Sequence, residues 1–143
     1  MTRFLLDTNI IRNVVKPQPS ASLLACMSAQ QDENLFIASL TTAEIWRGIL
    51  EKPKGKERDV LDAWFAGPEG PQALFAGRIL PFDEKADLLW ARLMAEGKIS
   101  GRPRSGLDMI IAAVAGANTC IPVTDNERDF AGLEIVNPLR GTR

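Results

Sequence analysis

The sequence predicts an α/β domain, with a mostly parallel sheet covered by helices on both faces. Three observations predict it. Short apolar runs of strand length ("FLL", "NLFIAS", "RILPF", "TCIPVT" and "LEIV") recur along the chain. Segments with apolar residues at helical spacing separate them, and such alternation is the pattern of a parallel sheet with crossover helices. The 143 residues suit one domain, residues 1–143, with length enough to bury a core.

Taken in order, Phe4–Leu6 is a first strand. A short helix follows through Ile10, Ile11 and Val14 and ends at Lys16–Pro17. Ser20 caps a helix carrying Leu23, Leu24 and Met27. "NLFIAS" is the second strand, and "LTTAEIWRGIL" is a helix with Ile45, Trp46 and Ile49 on one side. Residues 51–59 are polar and rich in breakers, as a helix–helix connection is. Val60, Leu61, Trp64 and Phe65 mark another amphipathic helix, and "GPEGP" a loop. "RILPF" is the third strand, after which Asp83 caps a helix bearing Ala86, Leu89, Trp90 and Leu93. "GKISGRPRSG" is a basic loop, "LDMIIAAVAGA" a largely buried helix, "TCIPVT" the fourth strand and "LEIV" the fifth.

Composition narrows the chemistry. Apolar residues make up 45% and charged residues 24%, as in ordinary globular domains. No apolar run approaches the ~20 residues of a membrane span, and the N-terminal apolar stretch is too short for a secretory signal, so a cytoplasmic protein is expected. Cys26 and Cys120 sit among apolar neighbours and read as free thiols. There is no histidine, which excludes Ser-His-Asp and Cys-His nucleophile systems and a His-ligated zinc. With a net charge of −1, a nucleic acid would have to be held by a local basic patch. No G-x-x-x-x-G-K-[ST] phosphate loop is present, which argues against nucleotide hydrolysis.

The acids carry the functional signal. Ligands of an open parallel sheet bind beyond the carboxyl ends of its strands. Asp7 ends the first strand, Glu44 opens the helix after the second, and Asp125 and Asp129 follow the fourth. Asp108 lies in the first turn of the helix leading into that fourth strand, which should run antiparallel and start at the same edge. Carboxylates gathered in this way repel, and a divalent cation relieves the repulsion. Mg²⁺ and Mn²⁺ favour oxygen ligands, activate water and stabilise charge on a phosphodiester, all without histidine. Lys98, Arg102 and Arg104 on the basic loop are candidate phosphate contacts beside Asp108.

Each acid also has a purely local explanation. Thr41-x-x-Glu44 has capping-box spacing, Ser105-x-x-Asp108 and Thr124-x-x-Glu127 are related, and Asp7-Thr8-Asn9 suits a turn. What favours function is the joint occurrence at one sheet edge, with Asp7 and Asp108 embedded among apolar residues. Asp59, Asp62, Asp83 and Asp87 lack that context and read as surface.

Together "LLDTNII", "TTAEIWRGI", "GLDMIIAAVA" and "VTDNERDF" resemble the PIN-domain family, and within it the VapC-type toxins of bacterial toxin–antitoxin pairs, FitB-like members included. The resemblance spans nearly the whole chain. It implies a five-stranded sheet of order 3-2-1-4-5 and an endoribonuclease dependent on Mg²⁺ or Mn²⁺. It also implies a homodimer and a cognate antitoxin, with RNA as substrate. Asp7 and Asp108 match the principal metal ligands, Glu44 the second acidic position, and Thr8 and Asn9 the polar pair beside the first aspartate. In the last motif Thr124 and Asn126 are supporting residues, and either Asp129 or Asp125 completes the site; Asp129, directly before Phe130, is preferred. The alternatives are a non-catalytic RNA- or partner-binding module and a metal-dependent DNA nuclease or phosphatase.

Overall fold

The structure, a computed structural model, describes residues 2–14 and 21–140. Strand β1 (Arg3–Leu6) lies inside a parallel sheet. It pairs with β2 (Leu35–Ala38) on one side and with β4 (Cys120–Val123) on the other, while β3 (Ile79–Leu80) flanks β2. The order is therefore 3-2-1-4. Alternation along β1 separates two cores: Leu5 packs with one cluster and Leu6 with the other, both essentially fully buried.

On the Leu5 side lie α6 (Glu84–Ile99) and α7 (Gly106–Ala117). Here α7 is apolar nearly all round because it is sandwiched; Met109 and every residue from Ile111 to Ala115 are buried. The expected cap of α6 is present, with Asp83 Oδ1 accepting from Ala86 N at 3.1 Å. On the Leu6 side lie α1 (Thr8–Val14), α2 (Ala21–Ser28), α3 (Ser39–Leu50), α4 (Lys56–Ala66) and the single turn α5 (Pro71–Leu74). Their apolar residues, among them Ile10, Leu23, Ile45, Ile49 and Phe65, close the second core. The predicted helix end at Lys16–Pro17 and the Ser20 cap fall outside the described residues. No helix among the described residues is long and apolar enough to cross a membrane.

The fifth strand is a correction. Of "LEIV", only Val136 pairs, through one parallel bridge to Val123 at the outer edge of β4. Val136 N donates to Pro122 O and Thr124 N donates to Val136 O, both at 3.0 Å. The next rung toward Glu134 would need an N–H from residue 122, and proline has none. Pro138 then ends the segment on its other side, at the start of a 3-10 turn. The sheet consequently has four strands and a one-residue remnant of the fifth.

Two helix boundaries also differ from the expectation. Helix α4 starts at Lys56, inside the stretch assigned to a connection, with Glu57 and Asp59 favourably placed in its first turn. Val60, placed on the apolar face from the sequence, is instead 67% exposed. Helix α6 runs through Lys98 to Ile99, so Lys98 belongs to its last turn and the basic loop begins at Ser100.

Two residues, Asn118 and Thr119, separate α7 from β4, so α7 runs back against the strands. Its first turn thus reaches the carboxyl edge of the sheet, where β1 and β4 also end. Phe130, fully buried beyond β4, anchors the segment that follows. Phe130→Ala should cost about 3–5 kcal/mol in urea unfolding, the range for emptying a buried aromatic site. Val60→Ala at the exposed position should change stability by no more than about 0.5 kcal/mol. Equal losses in the two variants would contradict this core.

Candidate active site

Asp7 follows β1 directly. Its N–H still belongs to the sheet, donating to Val123 O at 2.9 Å, and its carbonyl accepts from Ile10 and Ile11 to start α1. The side chain is therefore fixed between a strand end and a helix start, and it is buried. Both carboxylate oxygens have partners: Oδ1 accepts from Thr8 N at 2.7 Å and Oδ2 from the Thr124 hydroxyl at 2.8 Å. Burial raises the pKa of Asp7 above the usual carboxylate value. The bonds from Thr124 and Thr8 pull it back, and the charges of Glu44 and Asp125 push it up further.

Glu44 reaches the same place from α3. Its Oε1 accepts from the buried Thr8 hydroxyl at 2.7 Å, and the Thr41 hydroxyl lies 3.3 Å from that of Thr8. The capping-box explanation for Glu44 does not hold. Strand β2 passes straight into α3 at Ser39, with Ala38 as the cap position, so Thr41 and Glu44 both sit inside the helix. Thr41, a buried polar residue whose only evident role from sequence was that cap, instead backs the Thr8–Glu44 bond.

Asp108 occupies the first turn of α7, where Ser105 Oγ accepts from its N–H at 3.3 Å, so here the capping explanation is correct. The carboxylate is nonetheless perturbed, its pKa pushed up to about 6. Partial burial is the main cause, with the charges of Asp7 and Asp129 adding to it against the opposing Ser105 bond. The capping bond uses the backbone N–H of Asp108, so the same residue serves the cap and presents its carboxylate to the site.

Asn126 joins Asp108 to Asp129. Its Nδ2 lies 2.8 Å from Asp129 Oδ2 and 3.3 Å from Asp108 Oδ2, donating to both. Its own N–H donates to Thr124 Oγ1 at 3.0 Å, and its Oδ1 accepts from Asp129 N at 3.3 Å. The Thr124 hydroxyl therefore links this loop to Asp7. Asp125 is exposed, outside this network, and reaches the cluster only through its charge on Asp7. Asn9 is exposed, with no side-chain hydrogen bond among the described residues.

The basic residues divide. Lys98 and Arg102 are exposed. Arg104 is largely buried and committed to the protein: Nη1 donates to Leu93 O at 2.7 Å and lies 3.7 Å from Glu96 Oε1. Arg128, which the sequence analysis passed over, lines a cleft with Arg102, Arg104 and Asp129. Its position immediately before Asp129 was the available signal.

The donor set is entirely oxygen. Among the described residues, no three carboxylates converge tightly enough to enclose a cation unaided. That suits a hard cation such as Mg²⁺, which is held through one or two carboxylates and keeps several waters for exchange with substrate oxygens. Asp7 and Asp108, both driven toward the protonated state by burial and by neighbouring negative charge, are the pair such an ion would relieve.

Comparison with known proteins agrees with the fold. The PIN-domain family model matches residues 4–135. The chain is 38% identical over 136 residues to the VapC ribonuclease Y4jK of Sinorhizobium fredii, and 32% identical over 136 residues to the toxin FitB of Neisseria gonorrhoeae. Each alignment covers 94% of this chain and 96% of the relative. The crystal structure of FitAcB from Neisseria gonorrhoeae superposes with a TM-score of 0.86 at 31% identity, covering 94% of this chain and 97% of that one. Matched over almost its full length in sequence and in structure, the chain belongs to the PIN-domain family.

Proposed function

We propose that this protein is a divalent-metal-dependent endoribonuclease, the toxin of a VapBC-type toxin–antitoxin pair, with Mg²⁺ or Mn²⁺ as its cofactor. The observation that carries the reading is the convergence of Asp7, Glu44, Asp108 and Asp129 from four distant parts of the chain, with Asp7 and Asp108 raised in pKa. A site of mutually repelling carboxylates costs stability and is useful when it receives a cation and a phosphate. The relatives named above, a ribonuclease and a toxin, point the same way. RNA as substrate, a cognate antitoxin and a second copy of the chain as partners belong to this reading.

Asp7 and Asp108 would hold the ion. When bound, it supplies Lewis acidity toward phosphoryl oxygens and makes water nucleophilic at neutral pH. The chain's own residues do the rest. Thr8 N and Thr124 Oγ1 fix the plane of the Asp7 carboxylate and leave lone pairs on both oxygens for a ligand. Thr8 Oγ1 holds Glu44 by one oxygen, so that its other oxygen can orient an attacking water. Asn126 holds Asp129 against Asp108 and keeps the fourth carboxylate at the site despite the repulsion.

Two outcomes are expected. Purified protein should cleave an end-labelled RNA pool with Mg²⁺ or Mn²⁺ and not with chelator. Asp7→Asn and Asp108→Asn should abolish cleavage while remaining folded, and Glu44→Gln should lower the rate by about 10²–10⁴. Full activity in both aspartate variants would refute the site.

The second outcome concerns stability without metal. The folded protein keeps the Asp108 proton up to a pH of about 6, whereas an unperturbed carboxyl loses it near 3.8. Its ionisation therefore costs folding stability as pH rises through that window. Metal-free Asp108→Asn should melt above the wild type at pH 7.5, and the gap should close toward pH 4. A gap that is constant with pH would contradict a raised Asp108.

A further inference from the structure

The cleft beside the acids has a composition that the proposed catalysis does not use. It encloses about 400 Å³ between the loop after α6 and the turn after Asn126, lined by Arg102, Arg104, Arg128, Asp129, Ser100 and Gly132 among others. Three arginines line this cavity with one aspartate, in a chain of net charge −1. Asp129 faces the cleft and is also tied through Asn126 to Asp108, so the cavity opens directly off the acid cluster.

The three arginines are not equivalent. Arg104 is spent on Leu93 O and Glu96 and forms part of the wall. Arg102 and Arg128 are exposed and have no ion-pair partner among the described residues. The backbone fixes where Arg102 and the facing wall stand. Helix α6 ends in a Schellman motif, with Gly101 at φ +77°, Arg102 N donating to Gly97 O at 2.9 Å and Gly101 N donating to Lys98 O at 3.1 Å. On the facing side, Gly132 at φ +86° turns the chain next to Arg104, whose Nη2 lies 3.8 Å from where a Cβ would stand. Two exposed arginines lining one cavity make it cationic, and phosphate suits the donor geometry of a guanidinium.

We infer that this cleft is a phosphate subsite for the RNA strand next to the scissile bond, with Arg128 and Arg102 as the residues that position it. The inference rests on the endoribonuclease reading and extends it. Arg128 and Asp129 are consecutive, so one turn presents a carboxylate to the reacting centre and a cation to the neighbouring phosphate.

The test compares Arg128→Ala and Arg102→Ala with the wild type on a short end-labelled single-stranded RNA bearing a site that the wild type cuts. Binding of the same RNA is measured separately in the Asp7→Asn background over a range of salt. Each arginine variant should raise KM about tenfold with kcat within twofold, since the lost contact is made equally in ground and transition states. In the binding arm the slope of log affinity against log salt should fall by about 0.7 per arginine removed. Arg128→Lys should restore the salt slope but only part of the affinity, because the charge is kept while the forked donor geometry is lost. Melting temperatures near the wild type's verify that these exposed positions fold normally. Unchanged KM and salt slope in Arg128→Ala would overturn the subsite while leaving the nuclease intact. An effect of that variant confined to binding of a protein partner would overturn it too. A wild type that cleaves no RNA in any metal would overturn the nuclease reading itself, and the subsite with it.

Discussion

Everything at the carboxyl edge of the sheet depends on one buried carboxylate and the hydroxyl that holds it. Thr124 and Asp7 are 117 positions apart, and their 2.8 Å hydrogen bond lies where β1 and β4 end side by side. Burying an ionised group without partners would cost several kcal/mol. Here the Thr8 N–H and the Thr124 hydroxyl recover only part of that cost, because burial still leaves the Asp7 pKa raised. The fold thus carries a group that its own interior does not fully satisfy, at the place where a cation would complete it.

The remaining parts are arranged around that group by simple constraints of chain direction. Parallel strands all end on one side, so the residues after β1, β2 and β4 meet there. The two-residue link from α7 to β4 brings the start of α7, and with it Asp108, to the same side. Two relays then set the distances. The Thr8 hydroxyl connects Asp7's segment to Glu44, and Asn126 connects Asp108 to Asp129. Neither relay carries charge, so the cluster keeps its full negative potential for a ligand.

Much of this was legible in the sequence because it depends on chain position. A carboxylate at the end of an apolar run, or in the first turn of a returning helix, can be placed without coordinates, and Asp7 and Asp108 were. What could not be read depends on single hydrogen bonds. Pro122 looks like any apolar strand residue, yet its missing N–H reduces the fifth strand to one bridge. Thr41-x-x-Glu44 has the spacing of a cap, but β2 enters α3 without a loop and the motif lies inside the helix. Charge is similarly ambiguous: Arg104 reads as a phosphate contact, yet its guanidinium donates to Leu93 O, while Arg128, one residue from Asp129, has no ion pair among the described residues. Asp125 and Asp129 are alike in sequence context; among the described residues, Asp129 joins the hydrogen-bonded network and Asp125 does not.

The central claim is that Asp7 and Asp108 act together on one divalent cation. Titration of Mn²⁺ into the metal-free protein, followed by loss of the free-ion electron paramagnetic resonance signal, tests it without relying on any substrate. The account predicts saturable binding by the wild type, greatly weakened in Asp7→Asn and in Asp108→Asn alike, and unaffected by Asp59→Asn at a distant exposed position. Binding that survives intact in either single-site variant would show that the two carboxylates do not share an ion, and the account would fail at its base.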